Sequence, residues 1–197
     1  MVRLGIAVVV LAACGRIDFA TVGDGGAVAS GTITHVQAFV QLQGSSGAAS
    51  HTFTAQATAV GDLVLVHEYC RVTPLATGVM IAAPGWSFVQ LGATANAAGE
   101  NAASFAAIAP DTASATFTVT WATTGCIDTD DIGDEFGGSF VPATAIDSHD
   151  EETGDNDCVA HVTTRHSGDA VWAACTTLAV SGLGTGYTLG ADDGHGD

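Results

Sequence analysis

Residues Thr116-Phe117-Thr118-Val119-Thr120-Trp121 alternate without a break, apolar on one side and threonine on the other. Successive side chains of a strand point to opposite faces, so Phe117, Val119 and Trp121 share a face that must be covered. Segments 33–42, 52–58 and 63–70 are similarly short, rich in β-branched or aromatic residues, and bounded by Gly, Pro, Ser and Asn. Leu63-Val64-Leu65-Val66 is apolar on both faces and suits a central, covered strand. Segment 102–109 is open: its alanines suit a helix, whereas Ser104, Phe105 and Ile108 in this setting suit a strand. No segment carries a sustained helical period with caps. The pattern predicts an all-β chain, an antiparallel β-sandwich of jelly-roll type.

Not all of the chain takes part. Arg3 precedes an unbroken apolar run from Leu4 to Ala13, and Cys14 follows Leu11-Ala12-Ala13 directly. A positive start, a short apolar run and small residues before a cut site form a secretory signal. The run is about half the roughly 20 residues that span a bilayer. With its cysteine after Leu-Ala-Ala, the segment resembles the lipobox of bacterial lipoproteins. That resemblance implies cleavage before Cys14, acylation of Cys14, and attachment to the membrane through lipid, in the cell envelope. Gly15 in place of an aspartate points to the outer membrane, with the periplasmic or surface face open. One acyl chain anchors only marginally, whereas several chains make desorption negligible. Residues 14–31, with Gly23-Asp24-Gly25-Gly26 and Ser30-Gly31, read as a lipidated cysteine and flexible tether. The reach of such a tether is roughly 20–25 Å. Residues 32–197 are left for the sandwich.

Cleavage after residue 13 would leave 184 residues, enough for one domain with a core. The whole chain has 4 basic and 21 acidic residues and a net charge of −17. None of the basic residues is a lysine. Such a surface repels phosphate backbones, which argues against nucleic-acid partners. With 47% hydrophobic residues, the chain is too apolar for a disordered acidic tail.

With Cys14 spent on lipid, Cys70, Cys126, Cys158 and Cys175 remain, an even number consistent with two disulfides in an oxidising compartment. Four cysteines allow three connectivities. A turn at Arg165-His166-Ser167-Gly168 pairs Val162 with Val171 and puts Cys158 opposite Cys175, at cross-strand distances a disulfide can adopt. Cys70 and Cys126 then pair by elimination.

Gly61-Asp62-Leu63-Val64-Leu65-Val66 is echoed by Gly168-Asp169-Ala170-Val171-Trp172-Ala173, and Gly85-Trp86-Ser87 by Gly186-Tyr187-Thr188. Glu135-Phe136-Gly137-Gly138 follows the first set. In this layout residues 33–197 resemble secreted bacterial β-sandwich modules with a Gly-Asp strand, a Gly-aromatic turn and a Glu-Phe-small-Gly element. The resemblance implies a fold and no activity. If the echo is structural, one or two strands are due after Tyr187. The chain would then be C-terminally truncated, or completed by a strand-donating partner.

Between Asp128 and Asp157 stand 11 carboxylates and no Lys or Arg. Calcium takes six to eight oxygen ligands from flexible loops. Asp128, Asp130, Asp131, Asp134, Asp155 and Asp157 are therefore candidate calcium ligands on acidic loops, set against a merely solvated loop pair. The spacing is not that of an EF-hand. The histidines form no site by spacing, and His67-Glu68 does not continue into a metalloprotease motif. There is no nucleophile elbow. Trp86 and Tyr187 follow glycines at turn positions and are candidates for exposed stacking on a sugar, set against packing over an end of the sandwich, whereas Trp121 and Trp172 sit in apolar strands and belong to a core. These features predict a lipid-anchored envelope protein with a non-enzymatic structural or binding role and an envelope partner. A calcium-assisted carbohydrate binder is the alternative, and a secreted hydrolase the third reading.

Overall fold

A computed structural model of the chain describes residues 3–7, 18–22, 33–42, 47–95, 98–138, 140, 145–146, 172 and 174. Among them there is no helix and there are ten strands: β1 Arg3–Ala7, β2 Asp18–Val22, β3 Thr34–Leu42, β4 Ser50–Ala55, β5 Leu63–Arg71, β6 Val79–Ala82, β7 Phe88–Ala95, β8 Glu100–Ile108, β9 Ala115–Trp121 and β10 Asp128–Gly137. β1 and β2 pair as an antiparallel ribbon. Since β1 lies in the expected signal segment and β2 in the expected tether, this pairing describes the uncleaved chain.

The other eight strands form an antiparallel β-sandwich. One sheet has the order β3-β10-β5-β8-β7 and the other β4-β9-β6. Alternation decides what lies between them. Phe117, Val119 and Trp121 of β9 are buried with Phe53 of β4, Val64 and Val66 of β5, and Phe105 of β8. The threonines of β9 face the other way, opposite Ser50, Thr52 and Thr54 of β4. Phe117 lies at the centre, its ring 5.2 Å from Phe53, 4.9 Å from Trp86 and 5.1 Å from Phe88.

β5 is central and buried on both faces, as its continuous apolar run requires. Its second face carries Leu63 and Leu65, which join Ala106, Leu91 and Phe136 in a further core covered by Ala145, Trp172 and Ala174. The alanine-rich 102–109 segment is settled as strand. β8 is paired along its length with β5 on one side and β7 on the other, and this tertiary pairing overrides alanine's helical preference.

The largest departure concerns the acidic stretch. Residues 128–137 are not a loop but an interior strand between β3 and β5. Charge density along the chain suggested solvent, but the alternation of β10 assigns its carboxylates to two opposite faces of a sheet. Gly133 fits this placement, because the ring of Phe39 on β3 lies over it. A Cβ there would stand 2.0 Å from Phe39 Cε2. The space lets Phe39 stack on Phe53, centroids 6.1 Å apart.

Cys70 on β5 and Cys126 before β10 form a disulfide, with Cα atoms 5.4 Å apart and a sequence separation of 56. Cys158 and Cys175 lie outside the described residues, as do Cys14, Asp155, Asp157, Tyr187 and most of the second half of the echo.

Candidate functional site

β10 builds three polar clusters, each completed by residues far away in sequence. Asp131 points between the sheets and pairs in register with Glu68 of β5. His51, at an inward position of β4 in the other sheet, meets both of them. Its Nε2 lies 2.6 Å from Asp131 Oδ1 and 3.6 Å from Glu68 Oε2. His51, Glu68 and Asp131 are 6%, 0% and 1% exposed. One ligand atom from each falls within 4.8 Å of the others, so the three could hold a metal ion. Neither oxygen of Glu68 has a hydrogen-bond partner, and Asp131 Oδ2 and His51 Nδ1 also lack one. Burial, and then the neighbouring Asp131 carboxylate, push the Glu68 carboxyl well above the usual range. Two buried carboxylates side by side cannot both stay charged unless a proton or cation lies between them.

The second cluster is on the same face, where Glu135 is fully buried. Its Oε1 accepts from the Thr58 backbone N–H at 2.6 Å and from Thr58 Oγ1 at 3.0 Å, and its Oε2 accepts from Gln37 Nε2. Burial works to raise its pKa, but hydrogen bonds from Asp62, Thr58 and Gln37 outweigh that and hold it below the ordinary value. Asp62 shifts the other way, raised by burial and by Glu135. Of the pair, Asp62 is therefore the one that takes up a proton first as pH falls. The Gly-Asp element and the Glu-Phe element of the sequence layout thus meet in space, where they tie the entry of β5 to the end of β10.

Asp134 belongs to the third cluster, on the opposite face. It accepts from Trp172 Nε1, and His35 Nε2 lies 2.7 Å from its Oδ1. Burial raises its pKa against the pull of Trp172 and His35.

The expected calcium set is therefore divided. Asp131 faces the interior, Asp134 faces Trp172, and Asp128 and Asp130 stand in register with Arg71 and Tyr69 on the Asp134 side. Trp86 is corrected as well. It is 9% exposed and packs against Phe88 and Phe117, so it is not an exposed stacking surface. Gly85 does make a turn, with φ +82°, but the turn aims the indole inward. Trp121 and Trp172 are buried at 3% and 6%, as expected of core residues.

His51 and Glu68 had no place in the expected site. The signal for both was present in the alternation. Glu68 falls on the same face as Val64 and Val66, and His51 on the same face as Phe53 and Ala55, so each is a polar residue at a core position.

His67, on the outer face of β5, is buried, with Nδ1 2.8 Å from Ser104 Oγ. Burial lowers its pKa to about 4 from 6.5. Between those values the unfolded chain binds a proton that the folded chain does not. His67 therefore contributes stability that is whole above about pH 6.5 and is lost as pH falls toward about 4. The full span is about 3 kcal/mol. We expect His67→Asn, which keeps a polar atom near Ser104, to remove this component. Urea unfolding near pH 4 and about pH 7 should show the wild-type-minus-variant difference changing by about 3 kcal/mol. An unchanged difference would mean that His67 does not titrate in this way.

Comparison of the chain with family models, with curated proteins and with solved structures finds no match.

Proposed function

We propose that the chain is a lipid-anchored protein of the bacterial cell envelope, most consistent with the outer membrane, whose jelly-roll sandwich has a non-enzymatic structural or binding role. The observation that carries the non-enzymatic part is the burial of the clustered carboxylates and of His51 among the described residues. His51, Glu68, Asp131, Glu135 and Asp134 are all at most 6% exposed, and a general acid or base must come within hydrogen-bond reach of its substrate. The jelly-roll type is supported by strand order. The chain crosses repeatedly between sheets, and β10, last of the described strands, returns beside β3. β7 departs from an even division by joining the sheet of β8.

The anchor rests on Leu11-Ala12-Ala13-Cys14, and the partner is the membrane together with an envelope component, protein or carbohydrate. With Trp86 in the core, the sugar-binding alternative has lost one of its two stacking rings. Substituting Cys14→Ala in a bacterial host should move the protein from the membrane fraction to the soluble fraction and abolish incorporation of labelled palmitate. A variant as membrane-bound as the wild type would refute the anchor.

A further inference from the structure

We propose that His51, Glu68 and Asp131 bind a divalent transition metal of the zinc type, which joins the two sheets from inside the sandwich. The three ligands come from β4, β5 and β10, so the ion would tie the three-stranded sheet to the two central strands of the other. The site lies beside the disulfide, because Cys70 is two residues beyond Glu68 on the same face of β5.

Four observations point to a cation. All three side chains are more than nine-tenths buried. Both Glu68 oxygens and Asp131 Oδ2 lack a hydrogen-bond partner while lying in the cluster, although buried polar atoms are rarely left in that condition. The charges balance: two carboxylates and one divalent ion are together neutral, which removes the cost of two anions in a low dielectric. The spacing is also suitable. Ligands about 2.0–2.1 Å from a tetrahedral zinc stand roughly 3.3 Å from one another. His51 Nε2 is 2.6 Å from Asp131 Oδ1 and 3.6 Å from Glu68 Oε2, spacings within about 1 Å of that value, and the Glu68 and Asp131 ligand atoms fall within 4.8 Å of each other.

The donor set selects the metal. Imidazole nitrogen suits zinc and its neighbours, whereas calcium prefers six to eight oxygens. Three protein residues supply too few oxygens for calcium. The second Glu68 oxygen can occupy a fourth position, giving a closed site of structural character.

The rival account is a metal-free pair in which a neutral Glu68 donates to Asp131. Glu68→Gln separates the two accounts, because Gln has the shape and donor capacity of the neutral acid but binds metal poorly. The full chain, with its disulfide intact, would be unfolded in guanidinium and refolded with zinc, with calcium, or with chelator, then desalted. Metal content would be measured after desalting, and Tm with metal or chelator added back. We expect the wild type to retain one equivalent of zinc. Its Tm should be about 5–10 °C higher at a hundredfold excess over Kd than in chelator. E68Q should show none of these responses. A wild type that retains no zinc, takes calcium while refusing zinc, or retains no more than E68Q would overturn the proposal. A wild type without zinc overturns the proposal even if the variant misfolds.

Discussion

Phe117→Ala should lower the unfolding free energy by about 3–5 kcal/mol, at the upper end of single-residue effects. Phe117 is fully buried and meets three aromatic rings edge-on within 5.2 Å. Truncation removes its own transfer free energy and leaves a cavity walled by Phe53, Trp86 and Phe88. Those rings come from β4, β7 and the turn before β7, and cannot all collapse into the gap. Met80 is an internal control because it alternates to the outside of β6 and is 68% exposed. Met80→Ala should change stability by no more than about 0.5 kcal/mol. Urea midpoints for the two variants test the sandwich assignment directly. Equal effects would mean that β9 and β6 do not present these faces as described.

The second large effect concerns Cys70 and Cys126. Closing a loop of 56 residues restricts the unfolded ensemble and stabilises the fold by about 4 kcal/mol in the chain-entropy account. The double variant Cys70→Ala/Cys126→Ala should lose that amount. The loss should appear mainly as a lower denaturant midpoint, with a smaller m-value change from the more expanded unfolded state. A loss under about 1 kcal/mol would show that the reduced chain is already held together near β5 and β10 by other means.

The parts of this fold legible in the sequence were those set by local periodicity. The alternation of β9 and the two-sided apolar run of β5 both follow from side-chain direction in a strand, which needs no knowledge of partners. The pairing of Cys70 with Cys126 was also within reach, though only through a hairpin placed elsewhere in the chain. The fate of the acidic stretch was not legible. Burying Asp131, Asp134 and Glu135 is tolerable only because His51, Trp172, His35, Gln37 and Thr58 meet them, and those contacts span 38 to 99 residues. A dense acidic run looks solvated until its partners are known. Trp86 failed for a different reason. The glycine before it marks a turn correctly, but a turn does not say to which side the next ring will point. The second core, over the outer face of β5, depends on Trp172 and Ala174, which are more than a hundred residues from Leu63 and Leu65.

The position of β10 governs the order in which the molecule can be assembled. Among the described strands β3 has no neighbour in its sheet other than β10, and β10 is the last of them to be synthesised. Registers such as Asp134 with Ala38 join residues nearly a hundred positions apart, and contacts of that range close slowly. A nascent chain that has reached β9 can form the β5-β8-β7 meander and the smaller sheet. It still holds β3 unpaired, and His51 of β4 and Glu68 of β5 lack Asp131. Completion of the five-stranded sheet therefore waits on one late insertion, and any truncation before residue 137 should leave a chain that remains open and vulnerable to proteases.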